Sequence, residues 1–203
     1  SERPLPPAIM ANVLERYGLD QPLYMQLFTY LKNIFFNFDF GPSFAQRDRD
    51  VNDIIAAGFP VTLTYGFWSA VFVLVLGIPL GVIAALRQNS FWDYVMTGFA
   101  IFSQIFPNFV LAPLMVLTFT LALGLLPGGG WNGGQWEYVV MPAVALGTSY
   151  LANVARITRS SLLEVLGSSY IRTARAKGLP ERTIMIRHAL KPTPLPVISY
   201  MSP

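Results

Sequence analysis

Between Tyr170 and Pro192 the chain holds six Lys or Arg residues and its only histidine, His188, against one acid, Glu181. From the residues alone, a short run so rich in cations reads either as a basic surface for anionic lipid headgroups or as a solvated loop. Catalysis is a poor reading. His188 stands between Arg187 and Lys191, and a general base needs a partner group within hydrogen-bond reach of its proton. The residue order gives the run a shape. Ala174, Ala176 and the long side chains of Arg172, Arg175 and Lys177 favour helix, and Gly178 is placed to end that helix in a left-handed cap. Pro180 suits the first turn of a second helix, with Glu181 favourable near its N-terminus. The spacing therefore predicts a compact basic helical hairpin.

The elements that must carry this hairpin are apolar. Hydrophobic residues make up 53% of the chain and charged ones 12%, with a net charge of +3 and a mean hydropathy of +0.47. A soluble domain normally carries about 25% charged residues. No charge occurs from Ile54 to Leu86, from Tyr94 to Trp136, or from Tyr138 to Ala155. Runs of about 18 or more such residues read as membrane spans, since ~20 residues cross the hydrocarbon core. The absence of cysteine removes disulfide and Cys-metal readings. The small, localised net charge argues against nucleic acid.

The first span is predicted from about Pro60 to Leu86, with Pro60 in its first turn, where a missing N–H is harmless. Gly77 and Gly81 flank Pro79 in a GxxxG spacing, which reads either as a hinge or as ordinary close packing of a second helix. Ser90 and Asp93 look like a capping box opening a second span towards Leu126. Some 35 residues at ~1.5 Å each exceed the hydrocarbon thickness, so we expect one helix broken at Pro107 and Pro113. Pro127–Gly134 is a turn-rich loop, bordered by Trp131, Trp136 and Tyr138 at the membrane interface. The third span, Tyr138 to Ala155, continues past the membrane through Arg156 and Arg159. Pro192, Pro194 and Pro196 open what reads as a further span.

Residues 1–53 differ in composition, with five basic and seven acidic residues and a proline cluster at Pro4, Pro6 and Pro7. Leu23, Leu27, Tyr30, Leu31 and Ile34 recur at helical steps, predicting an amphipathic helix over Pro22–Phe38, on the membrane surface, before a turn at Gly41–Ser43. All eight basic residues from Arg156 to Lys191 follow the third span, Arg87 follows the first, and the Gly-rich loop has none. The positive-inside rule puts Arg87 and the 156–191 segment in the cytoplasm. Residues 1–53 then lie outside, which requires an earlier span. The chain is expected to be a piece lacking its first and last helices.

Arg172-Thr-Ala-Arg-Ala-Lys-Gly178, followed by His188-Ala-Leu-Lys-Pro192, resembles the cytoplasmic loop of ABC importer permeases, in the version found in the oligopeptide and dipeptide permease family. The general pattern begins Glu-Ala-Ala, where this chain has Arg172-Thr173-Ala174. Tyr17-Gly-Leu-Asp20-Gln-Pro22, Phe40-Gly-Pro-Ser43, Ala84-Ala-Leu86, Leu126 to Gly134 and Ala155 to Arg159 extend the resemblance across nearly the whole chain. It implies an all-α, polytopic transmembrane helical bundle of the type I importer fold, with an extracytoplasmic segment over 1–53 and a permease domain over 54–203. Within it, a loop over 160–191 would dock on a cytoplasmic ATPase through Arg172, Thr173, Ala174, Arg175, Ala176, Lys177, Gly178 and Leu179. The implied partners are a second permease subunit, two ATPase subunits that use the ATP, an extracytoplasmic solute-binding protein, the peptide cargo and membrane lipid. The chain itself would bind no cofactor or metal and would not be an enzyme.

The residues also leave other readings open. Within the family, the cargo could instead be nickel or another small peptide-like solute. From a different class, an ion-coupled secondary transporter would place ionisable groups inside its spans, and none is present here. A channel would show a charge ring or filter. Thr97, Ser103, Gln104, Asn108, Thr148, Ser149 and Asn153 are polar groups within spans. They are candidates to line a path, or else to hydrogen-bond between helices at ~0.6 kcal/mol each.

Overall fold

The structure is a computed structural model that describes residues 21–41, 43, 49–105 and 107–202, with the backbone alone for residues 102, 104 and 105. The proline cluster near the start and the Gln104 side chain lie outside the described residues. Every regular element among those described is helical. The chain divides into two compact units, Ser1–Pro60 and Val61–Pro203.

In the first unit, α1 spans Leu23–Lys32 and continues as a π-turn over Asn33–Asn37. Pro22 is its N-cap, where the lack of an N–H costs nothing, and none of its residues is buried. Phe38 then adopts φ +51° and ends the helix. Asn52 fixes the reversal: its Nδ2 donates to the Phe38 carbonyl at 2.6 Å and its Oδ1 accepts from the Phe40 N–H at 2.9 Å.

Helix α2 spans Val51–Leu86. It begins upstream of the expected Pro60, which lies in its interior. Ile54 to Phe59 are apolar, and a helix satisfies backbone groups that lipid could not, so the proline does not set the boundary. The helix also runs unbroken through Pro79.

The second charge-free stretch is broken, as Pro107 predicts. Helix α3 spans Phe91–Ile105, and α4 begins at Asn108, with Pro107 extended at its N-cap (ψ 148°). Helix α4 covers Asn108–Met115 and runs on as a π-turn over Val116–Ala122, carrying Pro113 inside it. Pro113 therefore does not break the chain path as Pro107 does. Because of the break, two helices rather than three among the described residues are long and apolar enough to span a membrane alone: α2 and the next long helix, α5, at Trp136–Gly167.

Helix α5 is the centre of the second unit. Both α3 and α4 pack against it, as does α8, Leu195–Met201. Helix α2 meets it along small residues. An added Cβ at Gly81 would lie 2.4 Å from the Ala155 carbonyl oxygen, and one at Gly77 would lie 2.9 Å from Val154 Cγ1. The GxxxG pair thus packs α2 directly on α5, in the manner expected of small residues at helix crossings. Val73, Leu151, Val154 and Val197 form one buried cluster there. Many large apolar side chains point outwards, among them Phe67, Val75, Phe109 and Leu121, which suits lipid or further helices rather than water.

Candidate functional site

The basic run folds as the residue order predicts. Helix α6 covers Ser169–Ala176, and Gly178 has φ +76°. The Leu179 N–H donates to the Ala174 carbonyl at 3.3 Å and the Gly178 N–H to the Arg175 carbonyl at 2.9 Å. That is a Schellman cap, satisfying carbonyls the helix end leaves open. Pro180 is the N-cap of the next helix rather than a first-turn residue: its carbonyl accepts from Thr183 and Ile184. Helix α7 covers Glu181–Thr183 and continues as a π-turn over Ile184–Ala189. Glu181 accepts from Arg175 Nε at 2.7 Å, closing the hairpin across the glycine. The Arg175 guanidinium holds the Glu181 carboxyl below its ordinary range. Both groups are exposed to water, so the pair sets geometry more than stability.

The hairpin has an anchored side and a free side. Ile171, Ile184 and Ala189 are fully buried in one cluster with Leu162 of α5 and Ala85 of α2. Ala174 packs on the same side. Arg172, Thr173, Arg175, Ala176, Lys177, Gly178 and Leu179 are exposed. Seven of the eight docking residues expected from the sequence therefore share one free surface, and the eighth faces the anchor. The return limb is tied down as well: Ser161 Oγ donates to the Thr193 carbonyl at 3.3 Å, and Thr193 Oγ1 to the Ala189 carbonyl at 2.7 Å.

Gly178→Ala is expected to cost about 1–2 kcal/mol, because an L-residue must take the left-handed region. No atom lies near the added methyl, so the cost is conformational. Amide exchange over 169–190 should speed up while the spans keep their protection.

One strong contact was misread from the sequence. Ser90 and Asp93 do not form a capping box. Asp93 instead accepts from the Asn89 N–H at 2.9 Å, and the buried Ser90 hydroxyl has no partner among the described residues. Asp93, 4% exposed, is gripped by Arg159 of α5, with Nε to Oδ1 at 2.6 Å and Nη2 to Oδ2 at 2.7 Å. Two parallel charge-assisted bonds of this kind are strong and directional. They bolt the start of α3 to α5 one residue before the start of the expected loop at 160.

The polar candidates within the spans separate. Ser103 is buried and bonds its own helix at the Ala100 carbonyl; Thr148 does the same at Val144. Thr97 is exposed. Asn108, Ser149 and Asn153 come together instead. Ser149 Oγ donates to Asn108 Oδ1 at 2.9 Å, and Asn153 Nδ2 donates to the Ser149 carbonyl at 3.3 Å and to Tyr200 Oη at 3.1 Å. Arg156 Nη2 donates to Asn153 Oδ1. Arg156 and Tyr200 were missed in the sequence reading, although Ser149, Asn153 and Arg156 stand at i, i+4 and i+7, one face of a helix. Nearer the Gly-rich loop, a cavity of about 350 Å³ lies between α4 and α5, lined by Met115, Val116, Tyr138, Met141 and Ala145 among others. Tyr65 closes that end, donating to the Gly130 carbonyl at 3.3 Å and meeting Trp131 edge to face at 5.6 Å.

Among the described residues no group of acids and histidines is placed to hold a metal.

Residues 77–202 match the family described as binding-protein-dependent transport system inner membrane component. The oligopeptide transport system permease protein OppB of Salmonella typhimurium is 52% identical over 202 residues, covering 100% of this chain and 66% of the relative. The dipeptide transport system permease protein DppB of Bacillus subtilis is 42% identical over 200 residues, 98% of this chain and 64% of the relative. The glutathione transport system permease protein GsiC of Escherichia coli is 38% identical over 193 residues, 95% and 62% respectively. The chain thus spans somewhat less than two thirds of the length of these curated relatives.

Proposed function

Because the chain belongs to the binding-protein-dependent transport inner membrane components, a family of multi-pass inner-membrane proteins, we propose that it is part of the permease subunit of an ATP-driven peptide importer. Residues 1–53 face outwards, and the 160–191 loop docks on a cytoplasmic ATPase. The observation that carries this reading is the build of the hairpin. Its free face is basic, and its other face is buried against Leu162 and Ala85, on the two helices that the GxxxG contact packs together. A partner moving Arg172–Leu179 therefore moves the ends of α2 and α5 as one body, with no flexible link to dissipate the displacement. The chain supplies no nucleotide chemistry of its own. ATP is hydrolysed in two separate ATPase subunits, and a second permease subunit completes the path. An external binding protein delivers the cargo. Peptide cargo is favoured over nickel or another small solute by the names of the relatives at 52% and 42% identity.

The test is uptake into proteoliposomes holding the full-length protein with its ATPase, permease and binding-protein partners. Labelled oligopeptide should accumulate only with ATP on the hairpin side, and the double variant Arg172→Glu, Lys177→Glu should abolish uptake while leaving the melting temperature unchanged. Uptake driven by a proton or sodium gradient without ATP would overturn the proposal in favour of a secondary transporter.

A further inference from the structure

Helix α5 carries a polar stripe where its surroundings are apolar. Ser149 and Asn153 belong to a charge-free stretch, Arg156 follows it, and all three lie on one face. The opposite face buries Leu151, Val154 and Leu162. Asn108 of α4 joins the stripe at one end and Tyr200 of α8 in its middle. Asn153 is only half-buried, while Tyr200 and Arg156 are exposed. Polar groups at membrane depth are costly unless they face protein or a water-filled cavity.

An inventory of donors and acceptors indicates what such a stripe could hold. The Asn108 amide nitrogen has two hydrogens and no partner among the described residues. Tyr200 Oη accepts from Asn153 and keeps its own proton to donate. Arg156 has five N–H groups and spends one on Asn153. The stripe is therefore donor-rich, neutral in the span and cationic at its cytoplasmic end. The complementary ligand presents a row of carbonyl acceptors and ends in an anion, which describes a peptide main chain with its terminal carboxylate. Every peptide offers the same carbonyls, so binding of this kind is independent of side-chain sequence.

We infer that Asn108, Ser149, Asn153, Tyr200 and Arg156 form a water-facing track that hydrogen-bonds the main chain of a peptide in transit, with Arg156 receiving its carboxylate. The inference rests on the peptide-importer reading above and names the side chains that handle the cargo.

The test uses the assembled full-length complex in proteoliposomes, with pentaalanine and its C-terminal amide as cargoes. The chain has no cysteine, so a single Asn153→Cys can be labelled with a membrane-impermeant maleimide from the hairpin side. Labelling is expected, slowed by pentaalanine, whereas Val75→Cys on the outward apolar face of α2 stays unlabelled. Arg156→Gln should lower the acid-to-amide uptake ratio by about tenfold, the worth of one charge-assisted hydrogen bond. Tyr200→Phe, which keeps the ring but loses the donor, should lower uptake of both cargoes with the melting temperature unchanged. If Asn153→Cys is unlabelled with and without ATP, or if Arg156→Gln leaves the ratio unaltered, the network is helix-to-helix bonding only and the inference falls. If labelling occurs but the unsubstituted complex shows no ATP-driven uptake, it is the importer reading that falls.

Discussion

Arg159→Ala is expected to cost about 3–5 kcal/mol, the range for breaking a buried ion pair by removing one partner. Its partner Asp93 is 4% exposed, and removing the guanidinium leaves that carboxylate, among the described residues, with only the Asn89 N–H. The penalty comes from the stranded charge rather than from the net worth of the pair. Asp93→Asn should cost less, since the neutral amide can stay buried while still accepting from Asn89 and Arg159 keeps some access to water. Replacing both residues by leucine should recover most of the loss, because well-packed apolar pairs often equal buried ion pairs. A double-mutant cycle on the melting temperature of the detergent-solubilised protein checks this. Strong non-additivity is expected, and simple addition of the two single losses would show that the contact holds nothing together.

Gly81→Val is expected to separate α2 from α5 and to prevent folded protein from accumulating. The added Cβ meets the Ala155 carbonyl oxygen at 2.4 Å and Thr158 Cβ at 2.6 Å. Because the first obstacle is backbone, no rotamer change relieves it, and overpacking of this kind costs about 1–3 kcal/mol or more. Gly77→Ala is the informative control. Its methyl meets Val154 Cγ1 at 2.9 Å, which a rotamer change can move, and the Leu151 carbonyl oxygen only at 3.3 Å, which a small shift relieves. The expected order of folded yield is therefore unsubstituted, Gly77→Ala, Gly81→Ala, Gly81→Val. Equal yields for the two alanine variants would mean that α2 does not rest on α5 where the glycines place it.

Much of the fold was readable from local chemistry. Charge-free runs located the long helices, Pro107 located the break between α3 and α4, and the Ala/Arg–Gly–Pro order located the hairpin and its cap. These features depend on residues within a turn or two of one another. The failures were of two kinds. Pro60 suggested a helix start because proline suits a first turn, yet the apolar Ile54–Phe59 extended α2 upstream of it. Asp93 suggested a local cap because Ser90 stands three residues before it, yet its partner is 66 positions away. Periodicity tells which face of a helix is apolar but not which helices meet, so the Asp93–Arg159 pair was invisible. The same limit hid the meeting of Asn108 with Ser149, 41 positions apart. It also hid Ala155 and Val154, the residues against which the GxxxG pair packs.

A crosslink reads out the proposed docking of the hairpin on an ATPase. Ala176 is exposed on the free face of α6, and the absence of native cysteine makes a single Ala176→Cys unambiguous. In the full-length complex it should form a disulfide with a cysteine placed in the surface cleft of the co-expressed ATPase, with a yield that changes when ATP is added. No crosslink in a complex that otherwise assembles would rule out ATPase docking and return the basic hairpin to the lipid surface.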